Sequence, residues 1–365
     1  MIRTTSVITI LLLSSASYAE DGIFLYGHLN YGALHYDDGV DSKHFFVDNN
    51  NSNSRVGVDI LLPKDDFGQL RFNFETSLGT TLSGSVSQLT GNDFDWDWQK
   101  TKLRKFELIY TSNDHGTLYL GQGSMATDGI SYSDFSGTTV AATVSVKDTS
   151  GGQLFRINDG TLSDVSFGSA VTDFDGSRRF RVRYDTPAVA GFTLSCAYGQ
   201  EILKDDNRDY VDVALRYAKQ FGDFKVRAGA GYNWRSDGRR FAALSAGVLH
   251  DPTGLNATIV TGGDNDDATM LYGKLGVTRS LFGDDSYKTA ISVDYYSGND
   301  INGTSSETGS FGFAVVQNLG EHVELYGLYR THDYDDIAGD YQQGEGIFIG
   351  ARLKFRLDVA EGSFN

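Results

Sequence analysis

Seven aspartates, Asp128, Asp134, Asp148, Asp159, Asp164, Asp173 and Asp175, share the Gly-, Ser- and Thr-rich stretch Gly123–Gly176 with only Lys147 and Arg156 of opposite charge. Directly after it, Arg179, Arg181 and Arg183 alternate with Phe180, Val182 and Tyr184, which places three guanidiniums on one face of an extended chain. Carboxylates facing guanidiniums across a wet gap perform no covalent chemistry. They set up a transverse field that orders water, favours small dipolar solutes over apolar ones and tunes ion preference. A salt bridge that merely pins the stretch is the competing reading for any single arginine of this set.

Catalytic patterns are missing from the rest of the chain. There is no G-x-S-x-G elbow, no H-E-x-x-H, no P-loop and no cysteine pair, so an enzyme is not expected. The seven histidines, His28, His35, His44, His115, His250, His322 and His332, are scattered singly. Cys196 is alone and falls in the apolar phase of FTLSCAY. No resident cofactor is expected. The acid clusters Asp37-Asp38, Asp205-Asp206 and Asp264–Asp267 offer oxygen ligands suited to Ca²⁺ or Mg²⁺, but they lack EF-hand spacing and read better as solvated loops.

The formal charge of −17, from 31 basic and 48 acidic residues, argues against a nucleic-acid partner, which needs clustered Lys and Arg on an outer face. At the N-terminus, Arg3, the apolar run Val7–Leu13 and Ser17-Tyr18-Ala19 read as a cleaved secretory leader over residues 1–19. Residues 20–365 then form the mature chain as one domain. No later run is apolar for long enough to span a bilayer as a helix.

A segment as long as Gly123–Gly176 far exceeds ordinary connections and needs somewhere to go. The elements around it supply that place. From Gly22 onward the chain repeats runs of alternating apolar and polar residues. In QLRFNFETSL, Leu70, Phe72 and Phe74 share one face while Arg71, Asn73 and Glu75 share the other, the period of two of a pleated strand. With 43 Gly, 3 Pro, 20 Tyr and 23 Phe, the composition suits sheet. About sixteen such runs are joined by short turns such as Asn113–Gly116 and Gln220–Asp223 in alternation with long acidic loops.

The expected fold is therefore all-β: a 16-stranded antiparallel transmembrane barrel with short periplasmic turns and long outer loops. A water-soluble sandwich would alternate too. The tyrosines toward strand ends, Tyr110, Tyr184, Tyr198, Tyr217, Tyr232 and Tyr295, match interfacial aromatic girdles and decide for the membrane. A tube of this strand number is too wide for side chains to fill, so its interior is wet and can accept the stretch at about 123–176 as a third loop folded inward.

LYGHLNYG (Leu25–Gly32), SRVGVD (Ser54–Asp59), RKFELIYTSNDHGTLYLGQ (Arg104–Gln122) and RVRYDTPAVAGFTLSCAYG (Arg181–Gly199), in this order and spacing, resemble the general diffusion porins of Gram-negative outer membranes. The likeness is greatest to the alphaproteobacterial, Rhodobacter-type branch and covers essentially all of Glu20–Phe355. It implies an integral protein of the outer membrane, among lipid and lipopolysaccharide. It further implies a homotrimer of barrels and passive, weakly selective passage of small hydrophilic solutes and ions through an eyelet. Carried over by residue, Arg55 and Arg71 match the basic wall, with Arg104 as a third. Arg104 shares parity with Phe106 and Leu108, so either a bulge turns it inward or it lies at the rim. Asp128 and Asp134, then Asp148 and Asp159, match the opposing acids. The family's terminal aromatic falls on Phe355 or Phe364. A substrate-specific channel for a sugar or an organic anion, or a barrel whose loops bind an external partner, is the alternative. Ion preference leans to cations from the net charge, while the basic lumen phase pulls the other way.

Overall fold

The computed structural model describes residues 21–359 and 363–364, apart from 206–207, 282–283 and 285. The leader at residues 1–19, Asp206 of one acid pair and the side chain of Phe364 lie outside the described residues.

Sixteen antiparallel strands close into one barrel. In chain order they are β1 (Gly22–Asp37), β2 (Arg55–Leu61), β3 (Gly68–Ser77), β4 (Leu103–Ser112), β5 (Gly116–Ser124), β6 (Arg178–Asp185), β7 (Phe192–Gln200) and β8 (Asp209–Phe221). There follow β9 (Phe224–Arg235), β10 (Arg240–His250), β11 (Leu255–Asp264), β12 (Thr269–Ser280), β13 (Lys288–Asn299), β14 (Glu307–Leu319), β15 (Val323–Asp336) and β16 (Gly344–Asp358). Neighbours in sequence are neighbours in the wall, and β1 pairs with β16 from Phe24↔Asp358 to Asp37↔Glu345. Closure leaves the barrel without a free sheet edge, which hydrocarbon would penalise.

Alternation decides which face meets lipid. Phe106, Leu108, Leu120, Val182, Leu194, Val213, Ile259, Leu275 and Phe313 point outward and remain exposed, Leu275 by as much as 62 %. The opposite phase carries Asn73, Glu75, Glu107, Asp212, Lys274, Asp294 and Arg330, all buried from solvent. An apolar outside and a charged inside invert the pattern of a water-soluble sandwich and suit a hydrocarbon surround. The six tyrosines read as girdle residues lie on the outward phase, with Tyr198 and Tyr295 the most exposed.

Chain connectivity differs from strict alternation of turns and long loops. One end has short turns throughout, as at 113–115 and 222–223. At the other end only residues 38–54, 78–102 and 125–177 form long connections, whereas 236–239 and 265–268 are as short as the turns. The second strand is also interrupted. Its upper part, Ser42–Asp48, pairs with β1 from Tyr31↔Asp48 to Asp37↔Ser42, and residues 49–54 then leave the sheet before β2 resumes pairing at His28↔Arg55.

The third loop fills the space these strands enclose. It leaves at Ser124 and returns at Arg178, which pair with each other, so β5 and β6 stay adjacent across the excursion. Met125, Ile130, Val144, Phe155, Phe167, Val171 and Phe174 pack against Tyr210, Ala214, Ala243, Val260, Met270, Tyr272 and Tyr296 of the wall. Small wall residues make this possible: a side chain at Gly247 would stand 1.8 Å from the Ser133 carbonyl oxygen. The run of Gly, Ala and Ser in β9 to β14 thus seats the loop.

Candidate functional site

The loop is tied to the far wall by polar contacts that satisfy its backbone, as buried N–H and C=O groups require. The backbone N–H groups of Ala126 and Thr127 donate to the Asp212 carboxylate on β8 at 3.1 and 2.8 Å. Lys274 Nζ on β12 donates to Asp134 Oδ2 at 2.7 Å and to the Ala142 carbonyl at 2.8 Å. Farther along, Thr138 Oγ1 meets Ser292 Oγ at 2.7 Å, and Tyr296 OH donates to the Thr172 carbonyl at 2.8 Å. Beyond the helical turn Lys147–Ser150, the strands Leu154–Ile157 and Leu162–Ser166 form a hairpin that pairs with Gly339–Gln342 of the last loop. Arg156 closes that end with a two-pronged ion pair to Asp38, Nη2–Oδ2 2.6 Å and Nε–Oδ1 2.9 Å.

Fixed in this way, the loop gathers a cluster of acids. Asp148, Asp173 and Asp175 group around Tyr132, and Asp128 lies beside Asp175. Asp175 accepts from the Gly129 and Ser131 N–H groups at 2.7 and 2.9 Å, and Asp173 accepts from Ser145 Oγ and, at 3.4 Å, from Tyr132 OH. Asn50, on the segment that interrupts the second strand, donates to Asp148. Burial, reinforced by the Asp173 charge, pushes Asp148 up to about 7. Burial and the charges of Asp128 and Asp173 likewise hold Asp175 well above the ordinary carboxylate range. Burial and neighbouring carboxylates thus oppose the ionisation of Asp148 and Asp175.

Opposite lies the basic arc. Arg104 reaches it through a bulge: the β3–β4 register shifts between Glu75 and Thr76, so Arg104 turns inward and its Nε sits 2.5 Å from Glu75 Oε1. Arg55 Nη1 shares the same carboxylate at 3.6 Å. Arg178 stands beside both, and Arg352 on β16 donates to Ser52 Oγ at 2.8 Å while pairing with Glu324. Asp128 is the loop acid near enough to act on Arg104, and it also faces Arg183 and Arg216.

The structure thus brings together Arg55, Arg104 and Asp128, with Arg183 also near Asp128 and Asp148 beside Asp173 on the loop. The others lie apart. Arg71 lies a strand length from Arg55, near the short-turn end, where its Nη2 pairs with Asp59 Oδ1 at 2.7 Å. Arg181 is buried in the wall against Glu107 and donates to the Gly121 and Ser124 carbonyls. Arg179 pairs with Glu201 at 3.3 Å and caps the Tyr210 ring, while Arg183 clasps Asp185 and donates to the Met125 carbonyl at 2.9 Å. Asp134 is spent on Lys274 at the far wall. Asp159 sits at the exposed hairpin tip, held below the ordinary range by the Thr161 N–H. Asp173 and Asp175, counted among the loop's acids, and Arg178 and Arg352 enter the site without having been assigned to the eyelet. For Arg178 closeness in sequence to the loop's return into β6 was the available signal. For Arg352 alternation gave the inward face, but its nearness to Ser52 follows only from closure of β16 on β1.

Among the described residues no group of three or more His, Cys, Asp or Glu is arranged to hold a metal ion. The arrangement offers opposed charge and ordered hydrogen bonding.

A model described as Gram-negative porin matches residues 4–337. No curated protein matches the chain. Among solved structures, the anion-selective porin from Comamonas acidovorans aligns with a TM-score of 0.60 at 14% identity, covering 92% of this chain and 100% of that one. OmpF of Salmonella typhi in complex with daunomycin gives 0.60 at 12% identity over 91% and 97%. A trimer form of OmpT from Vibrio cholerae gives 0.53 at 16% identity over 92% and 100%. Identities this low speak for the shared barrel alone.

Proposed function

The chain belongs to the Gram-negative porin family and is an outer-membrane channel rather than an enzyme, and from that premise we propose a passive, weakly selective pore for small hydrophilic solutes and ions. Its selectivity is set by the bore left beside the third loop and by the field between that loop and the β2–β4–β6–β16 arc. One observation supports this reading: Asp128 on the loop lies near enough to act on Arg104, while Arg55 and Arg178 stand beside Arg104. Opposed charges in a narrow wet passage favour dipolar over apolar solutes. The trimer form of the Vibrio cholerae OmpT structure supports a homotrimer here. Export through the leader at 1–19, contact with lipopolysaccharide and placement in the alphaproteobacterial branch belong to the same proposal.

A second reading, a channel that prefers organic anions, is favoured by the basic side chains of Arg352, Lys354, Arg356 and Arg71 on one wall toward the short-turn end. Reconstitution in a planar bilayer separates the two. Ohmic conductance with little block by any single solute is expected. Lack of conductance overturns both readings, and block by micromolar amounts of one organic anion replaces the general channel with the specific one.

A further inference from the structure

We propose that His35 and His44 form a two-imidazole binding site for a borderline transition-metal cation, zinc, nickel or copper(II), on the outer hairpin of the barrel. His35 on β1 and His44 on the Ser42–Asp48 segment face each other directly across the antiparallel pair. Both project from the outward phase, His44 exposed and His35 half-buried. Their Nδ1 atoms are 3.2 Å apart, the ring centroids 4.5 Å apart and the planes inclined by 26°. The rings therefore close toward their Nδ1 edges. Two imidazole nitrogens bound at about 2.0–2.1 Å to one tetrahedral ion lie roughly 3.3 Å apart, and the spacing at a right-angled site is about 2.9 Å. The observed separation falls between these values, and the near-parallel rings bind an ion once each turns until both in-plane Nδ1 lone pairs point at it.

The surroundings suit a cation. Asp37 and Glu345 oppose each other in the next outward rung, two residues along from His35 and its β16 neighbour Ile347. Their charge offsets part of the repulsion a divalent ion would meet from the nearby Lys43. On the other side of the pair, Phe46 stacks on Tyr31 at 6.0 Å and packs on Phe94 at 5.5 Å, which stiffens the rung below the histidines. Water completes the coordination sphere, so binding is expected in the micromolar range.

The experiment uses the folded full-length protein in detergent, its folding checked by heat-modifiable gel mobility. Titration calorimetry with zinc chloride is expected to give one site per chain, weakened by about tenfold or more in H35N and in H44N and retained in H115N. Copper(II) loaded at one equivalent is expected to show electron-spin-echo couplings from two imidazoles. Equal zinc affinity in the H35N/H44N double variant, or an imidazole count of one, overturns the proposal and leaves a shared N–H···N hydrogen bond as the pair's only role.

Discussion

Lys274 Nζ lies 2.7 Å from Asp134 Oδ2 within the barrel wall, and both side chains are almost entirely hidden from water. The pair fixes the third loop at a point opposite the arginine arc, and the same ammonium also takes the Ala142 carbonyl of the loop's next turn. K274M leaves Asp134 buried and unpaired, a change that costs about 3–5 kcal/mol in such settings. Single-channel records of K274M should show added noise and closure at lower voltage, and thermal unfolding should begin earlier. K274M/D134L removes both charges and should recover most of the stability. Unaltered records in K274M would mean the pair does not hold the loop.

The eyelet assignment divides the arginines by position. Two unit charges about 7 Å apart in water interact by about 0.6 kcal/mol, and with opposite sign for cation and anion, so removing one from the aperture should change the cation/anion permeability ratio by up to roughly sevenfold. R104Q and R178Q should move the reversal potential in a salt gradient toward cations, and D128N toward anions. R71Q, distant from Asp128 and already neutralised by Asp59, should do less. An R71Q effect larger than that of R104Q would relocate the constriction.

Asp148 titrates at about 7 because burial and the Asp173 charge oppose its ionisation. Below that pH its carboxyl is neutral and the arginine arc dominates the aperture; above it the loop gains a negative charge. Raising the pH from about 6 to about 8 should therefore shift the reversal potential toward cations, and D148N should flatten the shift. The linked stability has the opposite sense. A carboxyl whose folded pKa is raised favours the folded state most below its unfolded value, and that contribution is lost as pH rises through 7.

Asp38 behaves in the reverse manner. Burial raises its pKa, but the Arg156 guanidinium and the N–H groups of Asp41 and Val40 outweigh that and hold it below the ordinary range. Its ion pair stabilises the hairpin above the ordinary carboxylate pKa and is lost only as pH falls below it. R156A should release the tip at 157–162, at a cost of about 1.5–3 kcal/mol for charged hydrogen bonds. Limited proteolysis should cut R156A severalfold faster there; equal rates would show that pairing with Gly339–Gln342 suffices.

The barrel itself was legible because every strand exposes one face to hydrocarbon and the period of two records it residue by residue. All sixteen alternating runs coincide with strands. Parity gives the side of the wall but not the height along it, since height depends on strand tilt and stagger. That is why Arg55 and Arg71, equivalent by pattern, lie at different levels. Arg104 needed the bulge opposite Glu75, which shifts parity without any Gly or Pro to announce it. Within the third loop no periodicity exists, so Asp134, spent on Lys274, and Asp173, clustered with Asp148 and Asp175, could not be told apart. The inward Gly, Ala and Ser of β9 to β14 lie beneath the loop, which alternation alone does not reveal.

The loop's fastenings, at Asp212, Lys274, Ser292, Tyr296, Asp38 and Gly339–Gln342, run from one end of it to the other. A span secured along its whole length is a beam and not a door. Swinging it aside would break many bonds together, which thermal motion seldom does. The gauge of the passage is accordingly set once, when the barrel folds, and later control of flow falls to the charge state of the acids that line it.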